Sequence, residues 1–153
     1  MNRIADLLSP AHVAVGVDAA SKRDLFATVA GLFEASGGIA RASVVDALTA
    51  REKLGSTGLG QGIAIPHGRI RGLRDARGAF VRLAQPISFD APDGRPVSQV
   101  FVLLVPEQAT ERHLELLSEL AQMFSERGFR ERLAAAPDAA AAWSAIRDWA
   151  PVA

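Results

Sequence analysis

The sequence predicts a single α/β domain in which a β-sheet lies between layers of helices. Apolar residues recur at helical spacing in the first and last thirds of the 153-residue chain, and the middle third carries strand-like segments. Hydrophobic residues make up 49% of the chain. A domain of this length buries roughly 70% of its unfolded surface. We therefore expect one compact α/β sandwich over residues 1–153.

The first predicted helix follows Ser21 and stops at Gly37–Gly38. Ser21 is followed three positions later by Asp24, which resembles a Ser-x-x-Glu capping box. The apolar residues that repeat at helical spacing are Leu25, Phe26, Val29, Leu32 and Phe33.

A second helix is predicted from about 41 to 53, with Gly55 just past its end and Val44, Val45 and Leu48 facing inward. Arg51 then lies in the last turn. A cation there complements the helix dipole, which is its ordinary structural interpretation.

Strands are expected at 63–65, 76–84 and 97–105. The first ends at Pro66, which cannot donate to a central ladder. The third is almost continuously apolar, which is typical of a central strand covered on both faces. The intervening 89–96 segment contains Pro-Asp-Gly and predicts a tight turn.

The last third predicts three further helices. Thr110 can cap the first, which ends near Gly128, a second covers 129–135, and Asp138 can cap the third. The expected inward residues are Leu114, Leu117, Leu120, Ala121 and Phe124 in the first helix, and Trp143, Ile146 and Trp149 in the third.

Composition restricts the classes of function. The 17 basic and 17 acidic side chains cancel, and no basic stripe suggests nucleic-acid binding. No apolar run approaches the roughly 20 residues that span a bilayer, and the start of the chain lacks a signal-peptide profile. The absence of cysteine excludes thiolate chemistry. We expect a cytoplasmic protein without membrane insertion or nucleic-acid partners.

Histidines are the candidates for chemistry. His67 follows Ile-Pro at the end of a predicted strand, and His113 lies in the first turn of a predicted helix. Such termini often meet at one edge of a sheet, and imidazole titrates close to physiological pH. His12 precedes the first helix, and we expect it to be a surface residue without a chemical role.

A glycine-rich loop covers 55–62. It lacks the Gly-Lys-Ser/Thr of a Walker loop, and it precedes a strand, so it is not a dinucleotide fingerprint. It is either a flexible connection or an anion-binding loop, with Ser56, Thr57, Gly58 and Gly60 as the candidate residues.

Two other kinds of site are disfavoured. Zinc requires at least three ligands, and the chain has no cysteine to supply them, although Glu52, His67 and His113 could be assembled into a set. A serine-hydrolase triad lacks its Gly-x-Ser-x-Gly elbow. We expect no metal and no bound cofactor.

The segment from Arg51 to His67, R-E-K-L-G-S-T-G-L-G-Q-G-I-A-I-P-H, resembles the active-site signature of fructose/mannitol-type IIA domains of the bacterial phosphoenolpyruvate phosphotransferase system. The likeness continues through 89–97, through Leu-Leu-Val-Pro at 103–106, and through His113-Leu-x-x-Leu117. It is most similar to the nitrogen-regulatory branch of that family. Gln61 departs from the pattern, since asparagine is common there.

This resemblance implies a mixed sheet flanked by helices, in a single type-2 IIA domain. It further implies that His67 accepts phosphate, with His113 as the second active-site histidine and Arg51 beside them. The expected donor is a nitrogen-type histidine phosphocarrier protein, and the phosphorylation state is expected to regulate partners such as potassium transporters or sensor kinases. The alternatives are a contact-only regulatory module and the IIA component of a sugar uptake system.

Overall fold

A computed structural model describes residues 2–108 and 110–150 of the chain, so residues 1, 109 and 151–153 of the predicted domain lie outside it. The strands are β1 (Val13–Val17), β2 (Gly58–Gly60), β3 (Ile63–Ala64), β4 (His67–Ile70), β5 (Arg77–Ile87) and β6 (Val97–Pro106). The helices are α1 (Arg3–Leu7), α2 (Lys22–Gly37), α3 (Arg41–Glu52), α4 (Glu111–Ser125), α5 (Arg127–Ala135) and α6 (Ala139–Asp148), with a 3₁₀ turn at Pro10–His12.

The described strands form one mixed sheet. Its order is β1-β5-β6-β3-β2, and β4 also pairs with β6. Strand β6 runs antiparallel to β5 and parallel to both β3 and β4, while β1 is parallel to β5. The predicted α/β class with a mixed sheet is confirmed.

Strand β6 is central and buried on both faces, as its apolar run predicts. Phe101 and Leu103 belong to the core beneath α4, α5 and α6, whereas Val100 and Val102 belong to the core beneath α2 and α3. Successive side chains of a strand point to opposite faces. Both sides of the sheet are therefore covered by helices.

Helix termini agree with their local sequence signals. The Ser21 hydroxyl accepts the Asp24 N–H at 3.2 Å, and Gly38 ends α2 in the left-handed conformation with φ of 68°. The Asp138 carboxylate accepts the Ala141 N–H at 2.8 Å at the start of α6. Side-chain caps satisfy N–H groups that have no partner within the helix.

The buried face of α4 differs from the predicted one. Its buried residues are Leu116, Leu120, Met123 and Phe124, whereas Leu114 is 62% exposed, Ala121 is exposed and Leu117 is only partly buried. Four leucines between 114 and 120 allow two overlapping stripes of helical period. Contact with α1 and the sheet selects the stripe that starts at Leu116.

His12 is buried, which corrects its assignment to the surface. Only 4% of the residue is exposed, its ring lies 5.1 Å from that of Phe33, and Nε2 hydrogen-bonds with the Ser36 hydroxyl. The 3₁₀ turn, which the sequence patterns do not predict, directs the ring beneath the end of α2. Burial is the main cause of a lowered His12 pKa; a Gly78 backbone hydrogen bond opposes it, and Arg77 adds to it.

The sequence patterns did not predict α1, β1, β2 and β4, which are short. The predicted end of β5 lies three residues before the observed one. Within the described ranges, no helix has both the length and the apolar character required to cross a bilayer.

Candidate functional site

The three candidate residues Arg51, His67 and His113 line one cleft of about 480 Å³. Arg51 comes from the last turn of α3, His67 from the start of β4 and His113 from the first turn of α4. We refer to this space as the His67 cleft. The remaining lining residues are Ala47, Ala50, Leu54, Gly68, Arg69, Leu103, Val105, Leu114 and Leu117.

His67 begins a strand, whereas the sequence predicted that it follows one. The chain leaves β3 at Ala64, passes through Ile65 and Pro66, and resumes as β4, where His67 is in register with Leu103 of β6. The Pro66 carbonyl accepts the Leu103 N–H at 3.0 Å. Proline thus keeps its acceptor role in the sheet although it has no N–H to donate.

The strand beside His67 lies against α3 at very short range. A Cβ on Gly68 would sit 2.9 Å from the Ala47 Cβ and 3.1 Å from the Ala47 carbonyl carbon. Only glycine permits such an approach without displacing backbone. Because this contact joins α3 to β4, it sets the separation between Arg51 on the helix and His67 on the strand.

The hydrogen bonds of His67 define its tautomer. Nδ1 lies 3.0 Å from the Ile65 carbonyl oxygen, which can only accept, so Nδ1 carries the proton. Nε2 then holds a lone pair, which accepts the Nε–H of Arg51 at 3.2 Å. The half-buried ring therefore presents a neutral, nucleophilic Nε2 to the cleft.

Electrostatics favour this neutral form. Burial is the largest effect and lowers the pKa of His67; the Ile65 carbonyl raises it, Arg51 lowers it further and Glu52 raises it. The net direction is downward. A neutral imidazole is the form that can attack an electrophile at physiological pH.

His113 has the complementary tautomer. Its ring Nδ1 accepts the backbone N–H of Thr110 at 2.9 Å, and the backbone N–H of His113 donates to the Thr110 carbonyl at 3.0 Å. With Nδ1 acting as an acceptor, the neutral ring carries its proton on Nε2. The cleft thus contains one imidazole lone pair and one imidazole donor, each held by backbone.

Arg51 is fixed at two points. Besides its bond to His67, its Nη1 donates to the Gly55 carbonyl at 2.9 Å. The guanidinium has five N–H donors in a planar fork. It therefore retains donors for an anion that enters the cleft beside Nε2.

The glycine-rich loop does not line the His67 cleft. The Ser56 hydroxyl donates to the Phe89 carbonyl at 2.6 Å, and the Thr57 hydroxyl donates to Glu52 at 2.7 Å. A Cβ on Gly58 would lie 2.8 Å from that of Ala91, and Gly60 has φ of +88°. These residues pack the loop against 89–93, and their polar groups are engaged within the fold.

From the sequence, Glu52 was a candidate only for a metal ligand. Its side chain is 6% exposed and forms an ion pair with Lys22 at 2.9 Å. The available signal was local: an acidic residue directly after Arg51, followed five positions later by a threonine.

The apolar surroundings of His67 do not come from the apolar residues just before it in the chain. Ile63 and Ile65 lie in the core, and Leu59 is 45% exposed outside the cleft lining. The apolar wall comes from Leu103, Val105 and Leu117, while Leu54 and Leu114 stand at the rim with 84% and 62% exposure.

Over residues 2–108 and 110–150, no three side chains among His, Cys, Asp and Glu are grouped closely enough to hold a metal ion. Glu52 is directed to Lys22 and Thr57, so it does not join the two histidines in a ligand set.

Comparisons with known proteins agree on one family. Residues 6–149 match the family described as phosphoenolpyruvate-dependent sugar phosphotransferase system, EIIA 2. The nitrogen regulatory protein of Pseudomonas aeruginosa is 43% identical over 155 residues, covering 97% of each chain.

Solved structures show the same fold. The nitrogen regulatory protein IIA-Ntr of Neisseria meningitidis superimposes with a TM-score of 0.89 at 47% identity, covering 95% of this chain and 99% of that one. The mannitol IIA of Escherichia coli gives 0.75 at 21% identity, covering 91% and 98%, and shows the likeness of fold alone.

Proposed function

The chain belongs to the EIIA type-2 family of the phosphoenolpyruvate-dependent sugar phosphotransferase system, and from this premise we propose that it carries a phosphoryl group on Nε2 of His67. The observation that supports this most directly is the pair of opposite tautomers in one cleft. His67 offers a lone pair where His113 and Arg51 offer donors.

In the proposed step, Nε2 of His67 attacks the phosphorus of a phosphohistidine on the donor protein. The donor's N–P bond breaks as the new N–P bond forms, and the electron pair leaves with the donor imidazole. Nδ1–H stays hydrogen-bonded to the Ile65 carbonyl, so no proton has to leave the ring. Phosphoryl transfer of this kind depends on positioning and on stabilisation of charge.

The donors already at the site would stabilise the phosphoryl oxygens. Nε2–H of His113 supplies one hydrogen bond, and the guanidinium of Arg51 supplies charge-assisted ones. Because Arg51 Nε–H occupies the lone pair of His67 at 3.2 Å, the guanidinium has to shift from nitrogen to oxygen as the phosphoryl group arrives.

We infer a regulatory role on the nitrogen-type branch, because the two most similar proteins named above are nitrogen regulatory proteins. The donor on this reading is a nitrogen-type histidine phosphocarrier protein. A phosphoryl dianion between the exposed Leu54 and Leu114 changes an apolar rim into an anionic one, which alters the binding of partner proteins.

The test is phosphotransfer to the purified chain from phosphoenolpyruvate, enzyme I and the phosphocarrier, followed by intact mass. We expect one acid-labile, base-stable phosphoryl group on the wild type and none on His67→Ala. Labelling of the His67→Ala variant would show that another residue accepts the phosphoryl group. Running nitrogen-type and sugar-type donors in parallel, with a separate IIB acceptor, distinguishes regulation from sugar uptake.

A contact-only regulatory module is the second candidate, and the exposed leucines at the rim favour it. In that case neither donor set adds a phosphoryl group, and His67→Ala leaves affinity for partner proteins intact. Substitution of Leu54 or Leu114 by serine would then weaken partner binding while His67→Ala does not.

A further inference from the structure

The glycine-rich loop and Glu52 form one hydrogen-bonded unit behind the His67 cleft. The Glu52 carboxylate accepts Lys22 Nζ at 2.9 Å, the Thr57 N–H at 3.1 Å and the Thr57 hydroxyl at 2.7 Å. The Glu52 side chain is 6% exposed and Thr57 is also 6% exposed. A carboxylate this far from water is tolerated because a cation and further donors compensate its charge.

One branch of this unit leads to the ring of His67. The Thr57 carbonyl accepts the Ile65 N–H at 3.0 Å, and the Ile65 carbonyl accepts Nδ1–H of His67 at 3.0 Å. The position of the Ile65 peptide therefore depends on Thr57, which is itself held at two atoms by Glu52. The tautomer of His67 is set at the end of this chain of bonds.

A second branch leads to Arg51. The bonds between Glu52 and Thr57 close the 52–57 segment on itself, and the Gly55 N–H donates to the Glu52 carbonyl at 3.2 Å. Gly55 in turn presents its carbonyl to Nη1 of Arg51 at 2.9 Å. The turn that orients the guanidinium is thus tied to the same carboxylate.

We propose that Glu52 is a positioning residue that acts through Thr57 and Gly55 to hold both His67 and Arg51 for phosphoryl acceptance. The inference rests on the proposed function of His67. It assigns Gly55 and Thr57 of the loop a supporting role, one layer behind the reacting groups. Residues of this kind orient the groups that react. We take the magnitude from residues that orient metal ligands, whose loss typically reduces metal affinity or activity about 10–100-fold.

Two variants test the proposal by independent routes. Glu52→Gln preserves shape, but its amide has one acceptor oxygen where the carboxylate uses two. Thr57→Val removes only the hydroxyl, and Thr57→Ser restores it. Glu131→Gln is the matched control, since Glu131 is an exposed glutamate paired with Arg127 at 2.9 Å on α5.

Two readouts are required on protein shown to be folded by circular dichroism. We expect Glu52→Gln and Thr57→Val to slow single-turnover phosphorylation by about 10–100-fold, and the ¹⁵N resonances of the His67 ring to shift away from the Nδ1–H tautomer. Thr57→Ser and Glu131→Gln should keep the wild-type rate and resonances.

Folded Glu52→Gln and Thr57→Val proteins with wild-type rates and unchanged ring resonances would overturn the proposal. If Glu52→Gln does not fold, Thr57→Val decides. If the wild type itself accepts no phosphate, the proposed function fails; the ring resonances then test positioning alone, and an unchanged tautomer in both variants overturns it.

Discussion

Replacing Gly68 with alanine tests whether the close contact between α3 and β4 sets the geometry of the site. The new methyl carbon would lie 2.9 Å from the Ala47 Cβ, and it would also approach the Ala47 carbonyl carbon at 3.1 Å and oxygen at 3.2 Å. Two of these three atoms are backbone, so rotation of a side chain cannot relieve the clash. Helix α3 and strand β4 have to separate.

These distances give the expected losses of stability and of phosphorylation rate. Ordinary contact begins near 3.4 Å, so the elements must open by about 0.5 Å. Overpacking of this kind costs about 1–3 kcal/mol of unfolding free energy. For a chain of this size that corresponds to a fall in melting temperature of roughly 2–12 °C. Misplacement of reacting groups by 1 Å costs about 10²-fold in rate, so half that shift predicts a loss of about tenfold.

The assay combines urea denaturation with single-turnover phosphorylation of folded protein. Gly128→Ala is the control, because a Cβ there meets nothing within 4 Å and Gly128 lies in helix α5. Its stability should stay unchanged or rise by up to about 1 kcal/mol. A Gly68→Ala protein with wild-type stability would refute the packing argument. Lost stability with an unchanged rate would refute the link between this contact and the spacing of Arg51 and His67.

Three further predictions concern other residues. Substituting His113 with alanine should slow phosphorylation by about 10²–10³-fold without moving the label from His67, since it removes one donor to the phosphoryl oxygens; an unchanged initial rate would contradict this. Burial lowers the pKa of both His12 and His67 in the folded chain, whereas the unfolded value is about 6.5. Below that pH the unfolded state binds more protons, so stability is complete above about pH 6.5 and falls as pH drops towards the folded pKa values, by at most about 1.4 kcal/mol per pH unit for each histidine. Urea titrations between pH 5 and 7.5 should show a shallower slope in His12→Asn, and an identical slope would refute the role of His12. Gln61 adopts φ of 59°, so Gln61→Gly should raise the unfolding free energy by about 0.5–1 kcal/mol. A lower melting temperature of this variant in differential scanning calorimetry would contradict the prediction.

Short-range rules in the sequence correctly predicted the parts of the fold that depend on neighbouring residues. Ser21 and Asp138 cap helices because a side-chain oxygen reaches an N–H three positions away, whatever the rest of the chain does. Gly38 ends α2 because glycine adopts the left-handed conformation without steric cost. The burial of β6 on both faces follows from its nearly continuous apolar run.

The sequence indicated which residues form the candidate site, but it predicted only part of their arrangement. The 51–67 motif indicated Arg51 and His67, and the later match His113-Leu-x-x-Leu117 indicated the second histidine. The structure places all three residues in one cleft. The sequence contained no information on which ring nitrogen faces the cleft. That depends on the Ile65 carbonyl and on the Thr110 N–H, whose positions follow from strand pairing and from the start of α4.

Where prediction was wrong, the deciding contacts join residues far apart in the chain. The leucines of α4 permit two amphipathic faces, and packing against α1 and the sheet selects the one that leaves Leu114 at the rim of the cleft. His12 is buried because the end of α2 covers it, and Glu52 is buried because Lys22 neutralises it. The sequence by itself determined the elements, their caps and the chemical groups of the site. Only the tertiary structure decided which faces are buried and which atoms meet, because those outcomes depend on long-range packing that local periodicity does not encode.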